Sequence, residues 1–403
     1  MTPYIPHTAS EREQMLKAIG VASIDELFTS IPKELHLKGE LPIASGLSEE
    51  EVFQHLKEVA NLNQTKVSFL GMGSYERIIP AAVQSIASLP AFVTAYTPYQ
   101  GEISQGLLQA IFEYQSMICN LTSLDVSNAS LYDGHTAASE AATIMLASKR
   151  RSTTILVSET LHPFTLEVLK TWAFGTETII KIIPEKDRAF PTEEVENYLT
   201  PEVAGLIVQS PNRYGIIEDY TNLAEKVHGN ASLLTISSDP LSLVFQRSQW
   251  EWGADIAIGD TQPLGLASAF GGPACGYIAV KEALMRKIPG RVVGETVDRD
   301  GERAFVLTLQ AREQHIKRGR ATSNICSNQA LAALTTATYI ALVGHAGMVE
   351  VANQSYDKAH YLADKLNTIG GVEVENNHPF WCEFPITFSS PQVMEEVLSA
   401  LSQ

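Results

Sequence analysis

Three stretches of the sequence carry residue types from which a binding or catalytic site could be built. The first is Asp133-Gly-His-Thr-Ala-Ala-Ser139, the second is Asp239 at the end of "SLLTISSD", and the third is the loop "GDTQPLGLASAFGGPACGYIAV" at 259–280. Each follows or borders a short apolar segment typical of a buried strand. Open α/β sheets bind ligands beyond the carboxyl ends of their strands, so these stretches are the candidates for a site.

The first stretch places glycine and hydroxyl residues at the start of a predicted helix. The unpaired N–H groups of a helix N-terminus bind anions, and Thr136 or Ser139 could add a hydroxyl donor to a phosphate group. Capping of the helix by Asp133 or Thr136 explains the same residues without a ligand. Both interpretations stay open.

The second and third stretches together indicate pyridoxal phosphate chemistry with one part missing. A carboxylate such as Asp239 can hold the ring nitrogen of this cofactor protonated, although Asp-Pro also commonly starts a turn. The following loop should supply a lysine, because only an amine bonds to the aldehyde carbon of the cofactor. It holds Gln262 instead, and the nearest lysine, Lys281, follows the strand "GYIAV" and is expected at the surface.

The elements that must position these residues alternate between short apolar strands and helices. This alternation predicts an α/β fold, with a mostly parallel sheet covered by helices on both faces. We expect an N-terminal helical arm (1–65), a large domain (66–300) and a small C-terminal α+β domain (301–403). Strands are predicted at 153–158, 178–184, 203–211, 232–239, 254–260, 276–281 and 372–376, and helices at 164–172, 192–199, 222–227, 328–343 and 355–366.

Composition excludes several functional classes. The formal net charge of −17 over 403 residues argues against a nucleic-acid binder. The N-terminal sequence lacks the basic end and apolar run of a signal peptide, and the apolar segment 328–349 favours a buried helix over a membrane span. We therefore expect a cytoplasmic protein. We also expect no metal site, because the cysteines show no zinc-binding spacing. They are Cys119, Cys275, Cys326 and Cys382.

Longer motifs resemble the glycine cleavage system P-protein family, and within it the first subunit of the two-chain bacterial form. The resemblance covers nearly the whole chain in long ungapped motifs, which makes it specific. The motifs are "YIPHTASEREQMLKAIGVASIDELF", "AYTPYQGEISQGLLQAIFEYQSMICNLTSLDVSNASLYDGHTAASEA", "DPLSL", "GGPACGYIAVKE", "PGRVVGETVDRDG" and "LTLQAREQHIKRGRATSNICSNQALAAL".

The resemblance implies a fold-type I pyridoxal-phosphate transferase fold in a subunit that lacks the cofactor lysine. Gln262 stands at the lysine position, so no catalytic residue and no covalently bound cofactor is expected in this chain. A homologous second subunit would carry pyridoxal phosphate in an α2β2 complex. The remaining, vestigial cofactor site would consist of Asp133, Gly134, Thr136, Asp239 and Gln262.

The resemblance also implies the reaction. The complex would be a glycine dehydrogenase (decarboxylating), which decarboxylates glycine and passes the aminomethyl group to the lipoyl arm of H-protein, while this chain alone would be inactive. Tyr96, Tyr99 and Gln100 are the candidates for lining the partner's site, since aromatic residues with polar tips are typical interface anchors. Ordinary packing of a proline-bent loop explains them equally.

Other residues leave alternatives. The basic residues Arg312, Lys317, Arg318 and Arg320 could face an acidic partner or the lipoyl carrier, or form a solvated helix face. His135 replaces the small residue usual after "YDG" and could fill the vacated phosphate corner. Family members usually continue past this chain's last residue into a glycine-rich strand segment, so the small domain could be truncated or divergent.

Two other functions are compatible with the sequence. The chain could be a self-sufficient pyridoxal enzyme of related fold that uses another lysine, such as Lys281. It could also be a scaffold or regulator that binds lipoyl proteins without a catalytic partner. Cofactor bound to a lysine of this chain would favour the self-sufficient enzyme. A homologous subunit associated with the chain would favour the two-chain enzyme, and its absence would favour the scaffold.

Overall fold

A seven-stranded β-sheet organises most of the chain, in a computed structural model that describes residues 6–39, 41–63, 66–93, 97–375 and 377–402. Its strands in chain order are β1 (Val126–Ser127), β2 (Thr154–Ser158), β3 (Ile179–Ile183), β4 (Val203–Gln209), β5 (Leu233–Ser237), β6 (Ile256–Asp260) and β7 (Gly276–Val280). The spatial order is β1-β7-β6-β5-β4-β2-β3. Strands β2 to β6 are parallel, whereas β7 is antiparallel to both of its neighbours.

The sheet is buried on both faces, which explains why its strands are nearly continuous apolar runs. On β6, Ile256 and Ile258 enter one core cluster, and Ala257 between them enters another on the opposite face. Helices cover both sides. The prediction of a mostly parallel sheet with helices on both faces is confirmed.

The helices are mostly longer than the sequence pattern predicts. They are α1 (Ala9–Ile19), α2 (Glu49–Ala60), α3 (Ala81–Ala87), α4 (Pro90–Val93), α5 (Gln105–Thr122), α6 (Gly134–Ser148), α7 (Pro163–Thr176), α8 (Leu223–Gly229), α9 (Gln314–Lys317), α10 (Ala330–Leu366) and α11 (Pro391–Ser402). The helix predicted at 192–199 is a 3-10 helix, Thr192–Tyr198. Two antiparallel hairpins, β8 (Val292–Val297) with β9 (Arg303–Thr308) and β10 (Val372–Val374) with β11 (Ile386–Phe388), complete the fold.

Helix α10 joins the two C-terminal helices that the sequence suggests as separate. Its backbone is interrupted at Gly344, where φ is 60° and ψ is −173°. Within the described residues it is the one helix long and apolar enough to cross a membrane, and 44% of its most apolar window is buried. Because it packs against α3 and α5, it is a core helix, in agreement with the buried helix predicted for 328–349.

The chain divides into two compact units, Met1–Phe69 and Leu70–Gln403. The first contains α1 and α2, and each of these helices begins with a capping box, Thr8 with Glu11 and Ser48 with Glu51. The second contains the sheet and all later elements. Residue 300 lies in the turn of the β8–β9 hairpin, and the domain boundaries at 65 and 300 stay predictions.

Candidate functional site: a cavity at the carboxyl edge of the sheet

A cavity of about 610 Å³ opens where β4, β5 and β6 end. This is the edge at which an open α/β sheet binds ligands. Four of the predicted vestigial-site residues line it, although they are distant in the sequence: Asp133, Gly134, Asp239 and Gln262. Thr136, the third residue of α6, is not part of the cavity wall.

The hydroxyl groups at the start of α6 are used within the helix. The Asp133 carboxylate accepts a hydrogen bond from the Thr136 N–H at 2.7 Å, and the Thr136 hydroxyl donates to the Asp133 carbonyl at 3.0 Å. The Ser139 hydroxyl donates to the Thr136 carbonyl at 2.8 Å. Both hydroxyl groups are thus used within the first turns of the helix, as the capping interpretation expects, and binding of an anion here stays a prediction.

Asp260, the last residue of β6, organises the cavity floor. Its carboxylate accepts hydrogen bonds from the N–H groups of Gly134 at 2.9 Å, Gln262 at 2.7 Å and Cys275 at 3.3 Å. Burial raises the pKa of this carboxyl, and the three N–H donors oppose the shift. Asp260 thus places a carboxylate of the chain itself on the first N–H of α6.

Sequence reasoning missed Asp260, although it stands in the loop quoted above. A carboxylate at the carboxyl end of a buried strand was the available signal, and the same signal did identify Asp239 on the neighbouring strand. The contact with Gly134 bridges 126 residues, so no local pattern reveals it.

Asp239 lies two residues beyond β5, where it both starts a turn and faces the cavity. Its Oδ1 accepts a hydrogen bond from the Leu241 N–H at 2.8 Å, as in an Asx turn, and its side chain lines the cavity. Burial raises the pKa of its carboxyl, and the positive charge of Arg77 opposes this shift. A role for Asp239 toward a ring nitrogen stays a prediction.

Gln262 is fixed in its loop by two hydrogen bonds. Its N–H donates to Asp260, and its Nε2 donates to the Leu266 carbonyl at 2.9 Å. The side-chain amide therefore ties two ends of a turn together. Gln262 thus has a structural role. The resemblance implies that the partner subunit has its lysine at the corresponding position.

A pair of histidines closes the side of the cavity next to α6. The rings of His135 and His162 lie 4.8 Å apart, and the His135 Nδ1 is 2.9 Å from the Thr165 hydroxyl. His162 accepts the Phe164 N–H at Nδ1, so its proton lies on Nε2, which donates to the Met72 carbonyl. Burial lowers the pKa of His135, and the neighbouring His162 lowers it further. His135 thus lies beside the N-terminus of α6, and whether it fills a vacated phosphate corner stays a prediction.

The cavity wall contains no lysine among the residues that the structure describes. Its guanidinium group is that of Arg213, which is bound to Glu185 at 3.0 Å. Lys281, the alternative cofactor lysine, lies at the end of the antiparallel strand β7 and hence at the opposite edge of the sheet. There its Nζ contacts the Asp255 carboxylate at 2.7 Å.

Outside this cavity, Arg291 and His315 contact Tyr99, one of the residues predicted to line the partner's site. Arg291, which is 3% exposed, donates to the Tyr99 hydroxyl at 3.1 Å, and its guanidinium also lies 5.4 Å from the ring centroid. The ring of His315 packs edge-on against Tyr99 at 5.8 Å. Gln100 is exposed. Tyr96 lies outside the described residues.

The basic residues after β9 divide into two groups. Arg312 turns inward and donates to the Ile288 carbonyl, and burial lowers its pKa. Lys317, Arg318 and Arg320 are exposed. These last three could form a solvated face or meet a partner, whereas Arg312 does neither.

Comparisons with known proteins agree on the family. A profile of the glycine cleavage system P-protein matches residues 2–403. A protein of Listeria innocua named probable glycine dehydrogenase (decarboxylating) subunit 1 is 47% identical over 403 residues, covering 98% of this chain and 89% of the relative. One of Carboxydothermus hydrogenoformans with the same name is 46% identical over 399 residues, with the same coverage.

Solved structures give the same answer. A crystal structure of glycine decarboxylase (P-protein) in inhibitor-bound form superimposes with a TM-score of 0.90 at 40% identity, covering 99% of this chain and 90% of that one. A sphingosine-1-phosphate lyase of Burkholderia pseudomallei, at 13% identity and a TM-score of 0.62, covers 88% of this chain and 81% of its own and shares the fold alone. The large sheet is that of the fold-type I pyridoxal-phosphate enzymes, and the chain belongs to the glycine cleavage system P-protein family.

Proposed function

We propose that the chain is the subunit without cofactor lysine of a two-chain glycine dehydrogenase (decarboxylating). A homologous partner subunit holds pyridoxal phosphate, and the complex, an α2β2 assembly in the cytoplasm, decarboxylates glycine. It passes the aminomethyl group to lipoyl H-protein. This chain contributes assembly and part of the wall of the partner's site.

The contact between Asp260 and the N–H of Gly134 is the observation that carries this proposal. Two of the first three N–H groups of α6, those of Gly134 and Thr136, are bound by carboxylates of the chain itself. A phosphate group placed there would meet two negative charges instead of free donors. This arrangement argues against a cofactor phosphate group at the start of α6.

The surroundings of Gln262 also support the proposal that the partner subunit, and not this chain, holds the cofactor. An amide cannot bond covalently to the cofactor's aldehyde carbon, and the described cavity wall offers no other amine. Glutamine is also neutral, so it avoids the cost of burying an unpaired ammonium group. We infer that this cavity has a structural role and that the chemistry belongs to the partner.

The group around Tyr99 supports a role at the partner's site. Tyr99 is 52% exposed, yet its hydroxyl is held by the buried Arg291. An exposed aromatic ring fixed from below loses little conformational entropy on association. Tyr99 is thus prepared as an anchor, and we expect Gln100 to line the same surface.

The proposal is tested by reconstitution. The purified chain alone should be colourless and inactive. Mixing with the homologous pyridoxal-bearing subunit and lipoyl H-protein should restore glycine-dependent exchange of carbon dioxide, and the rate should saturate at one copy of each subunit. A partner that reaches the full rate without this chain would contradict the proposal, and lipoyl-protein binding without any effect on the rate would indicate the scaffold function.

A further inference from the structure

Arg291 is a buried cation without a counter-ion in the described part of the chain. It is 3% exposed, and its guanidinium forms no ion pair with a described residue. Its Nε also has no hydrogen-bond partner among these residues. Burying a charged group is costly unless the group is paired and hydrogen-bonded. An unpaired charge inside a fold therefore requires an explanation, and a functional role is one.

The guanidinium of Arg291 is directed at Tyr99. Its Nη2 donates a hydrogen bond to the Tyr99 hydroxyl oxygen at 3.1 Å, and the ring centroid of Tyr99 lies 5.4 Å from the guanidinium carbon. The hydroxyl oxygen is thus an acceptor, and the structure shows no acceptor for the hydroxyl proton among the residues that it describes. Linked hydrogen bonds polarise one another, so a cation that donates to this oxygen makes the hydroxyl a stronger donor.

The backbone around Arg291 is fixed by the segment that follows β1. The Ala129 N–H donates to the Arg291 carbonyl at 2.8 Å, and the Asn128 Nδ2 donates to the Pro289 carbonyl at 2.9 Å. Between these two contacts, Gly290 has a φ of 68°, and a Cβ at this position would lie 3.1 Å from the Asn128 Nδ2. The base of the arginine side chain is therefore held in one place.

The loop that carries Tyr99 is tied to the β8–β9 hairpin, which begins directly after Arg291. At the start of α5, the Gln105 Nε2 donates to the carbonyl groups of Gly101 and Phe305 at 2.8 and 2.9 Å. The Gln105 Oε1 accepts the Phe305 N–H at 2.8 Å. Because the same hairpin anchors both partners, the guanidinium and the hydroxyl are kept in register with each other.

We propose that Arg291 is a positioning residue for the partner's site, and that it directs the Tyr99 hydroxyl as a hydrogen-bond donor to an anionic group held there. The inference rests on the proposed function, in which Tyr99 lines that site. A hydroxyl donor backed by an unpaired positive charge favours a negative acceptor over a neutral one. Glycine supplies a carboxylate and pyridoxal phosphate supplies a phosphate group, which share this chemistry.

Kinetics of the reconstituted complex at saturating partner subunit test the proposal. Tyr99→Phe should weaken binding of the anionic ligand by about 10- to 100-fold, because a hydrogen bond to a charged group is lost. A higher KM for glycine identifies the carboxylate, whereas weaker binding of pyridoxal phosphate by the complex identifies the phosphate group. Arg291→Met keeps an unbranched stem but removes the charge and the donors, and it should weaken the same ligand by about 10-fold.

A double-mutant cycle separates positioning from a general structural effect. In a chain that already carries Tyr99→Phe, adding Arg291→Met should change the affected constant by less than about 2-fold, because no hydroxyl remains to be directed. Losses that multiply would show that Arg291 acts independently of Tyr99 and would overturn the proposal. If Arg291→Met fails to fold, Arg291→Lys replaces it in the same cycle, since lysine keeps the charge but not the planar geometry of the guanidinium.

Arg303→Met is the matched control. Arg303 lies in the same hairpin, 4.9 Å from the ring centroid of Phe305, but it is exposed and paired with Glu295. Its replacement should leave the KM for glycine and the affinity for the cofactor within about 2-fold. Unchanged values of both constants for Tyr99→Phe in an active complex would overturn the positioning role and leave the proposed function intact. Failure of the unchanged chain to restore activity would overturn both.

Discussion

At the scale of single residues, Asp260 defines what the cavity can do. The carboxylate joins three backbone N–H groups from separate segments, at positions 134, 262 and 275. An acceptor that satisfies several buried N–H groups is strongly stabilising once it is in place, because the donors have no water to replace it. Asp260 is therefore a structural anchor of the site.

Replacing Asp260 tests this role. Asp260→Ala should lower the free energy of unfolding by about 3 kcal/mol or more, because buried N–H groups lose their acceptor. Asp260→Asn keeps one acceptor oxygen and should lose less. Asp219→Ala removes an exposed Asx turn to Thr221 and should cost less than about 1 kcal/mol, and equal losses in urea unfolding for Asp260→Ala and Asp219→Ala would contradict the anchoring role.

Glu140 on α6 gives a prediction about pH. Burial raises the pKa of its carboxyl from the ordinary 4.5 to about 7, opposed by a hydrogen bond with Ser323, and its Oε2 has no partner in the described part of the chain. The folded chain thus binds this proton more tightly than the unfolded chain. Its contribution to stability is complete below about pH 4.5 and is lost as the pH rises to 7.

Glu140→Gln should remove this dependence. Relative to the unchanged chain, the variant should gain on the order of 2–3 kcal/mol in unfolding free energy between pH 5 and pH 8. Urea unfolding at the two pH values measures the change, with the exposed Glu113→Gln on α5 as the matched control. An equal difference between variant and unchanged chain at both pH values would show that Glu140 is not buried as described.

At the scale of elements, the start of α6 is held against β7 by a glycine. A Cβ at Gly276 would lie 2.3 Å from the Asp133 carbonyl oxygen, whereas one at Gly106 on α5 would meet no atom within 4 Å. Strand β7 must therefore lack a side chain at this point for the capped helix to reach the cavity.

A pair of alanine substitutions measures this close approach. Gly276→Ala should destabilise the chain by about 2 kcal/mol or more, because backbone atoms must move to admit the methyl group. Gly106→Ala should be neutral or stabilise by up to about 1 kcal/mol through helix propensity. Thermal unfolding of both variants gives the comparison, and a Gly276→Ala variant as stable as Gly106→Ala would refute the close packing.

The elements themselves were largely predictable, and the contacts between them were not. Buried parallel strands read as apolar runs, so β2 to β7 lie within one to two residues of the predicted bounds. Local signals could not show that α10 continues past the break at Gly344, because its second half is stabilised by packing with Trp381 and other distant residues. For the same reason Asp239 was found by its place after a strand, whereas Asp260 and Arg291 act through partners far along the sequence.

At the scale of the whole molecule, the cavity of a cofactor-binding fold lacks an amine in its described wall. We propose that this chain is one member of a pair of related subunits, in which the partner holds the cofactor. The relatives named subunit 1 imply such a partner subunit.

The measurement that tests the account most directly is borohydride reduction of the reconstituted, active complex, followed by peptide mapping of both chains. Reduction fixes pyridoxal phosphate to the lysine that holds it. We predict that the reduced cofactor is found on a lysine of the partner subunit, and that every lysine-containing peptide of this chain remains unmodified. Stoichiometric cofactor on a lysine of this chain would contradict the central claim.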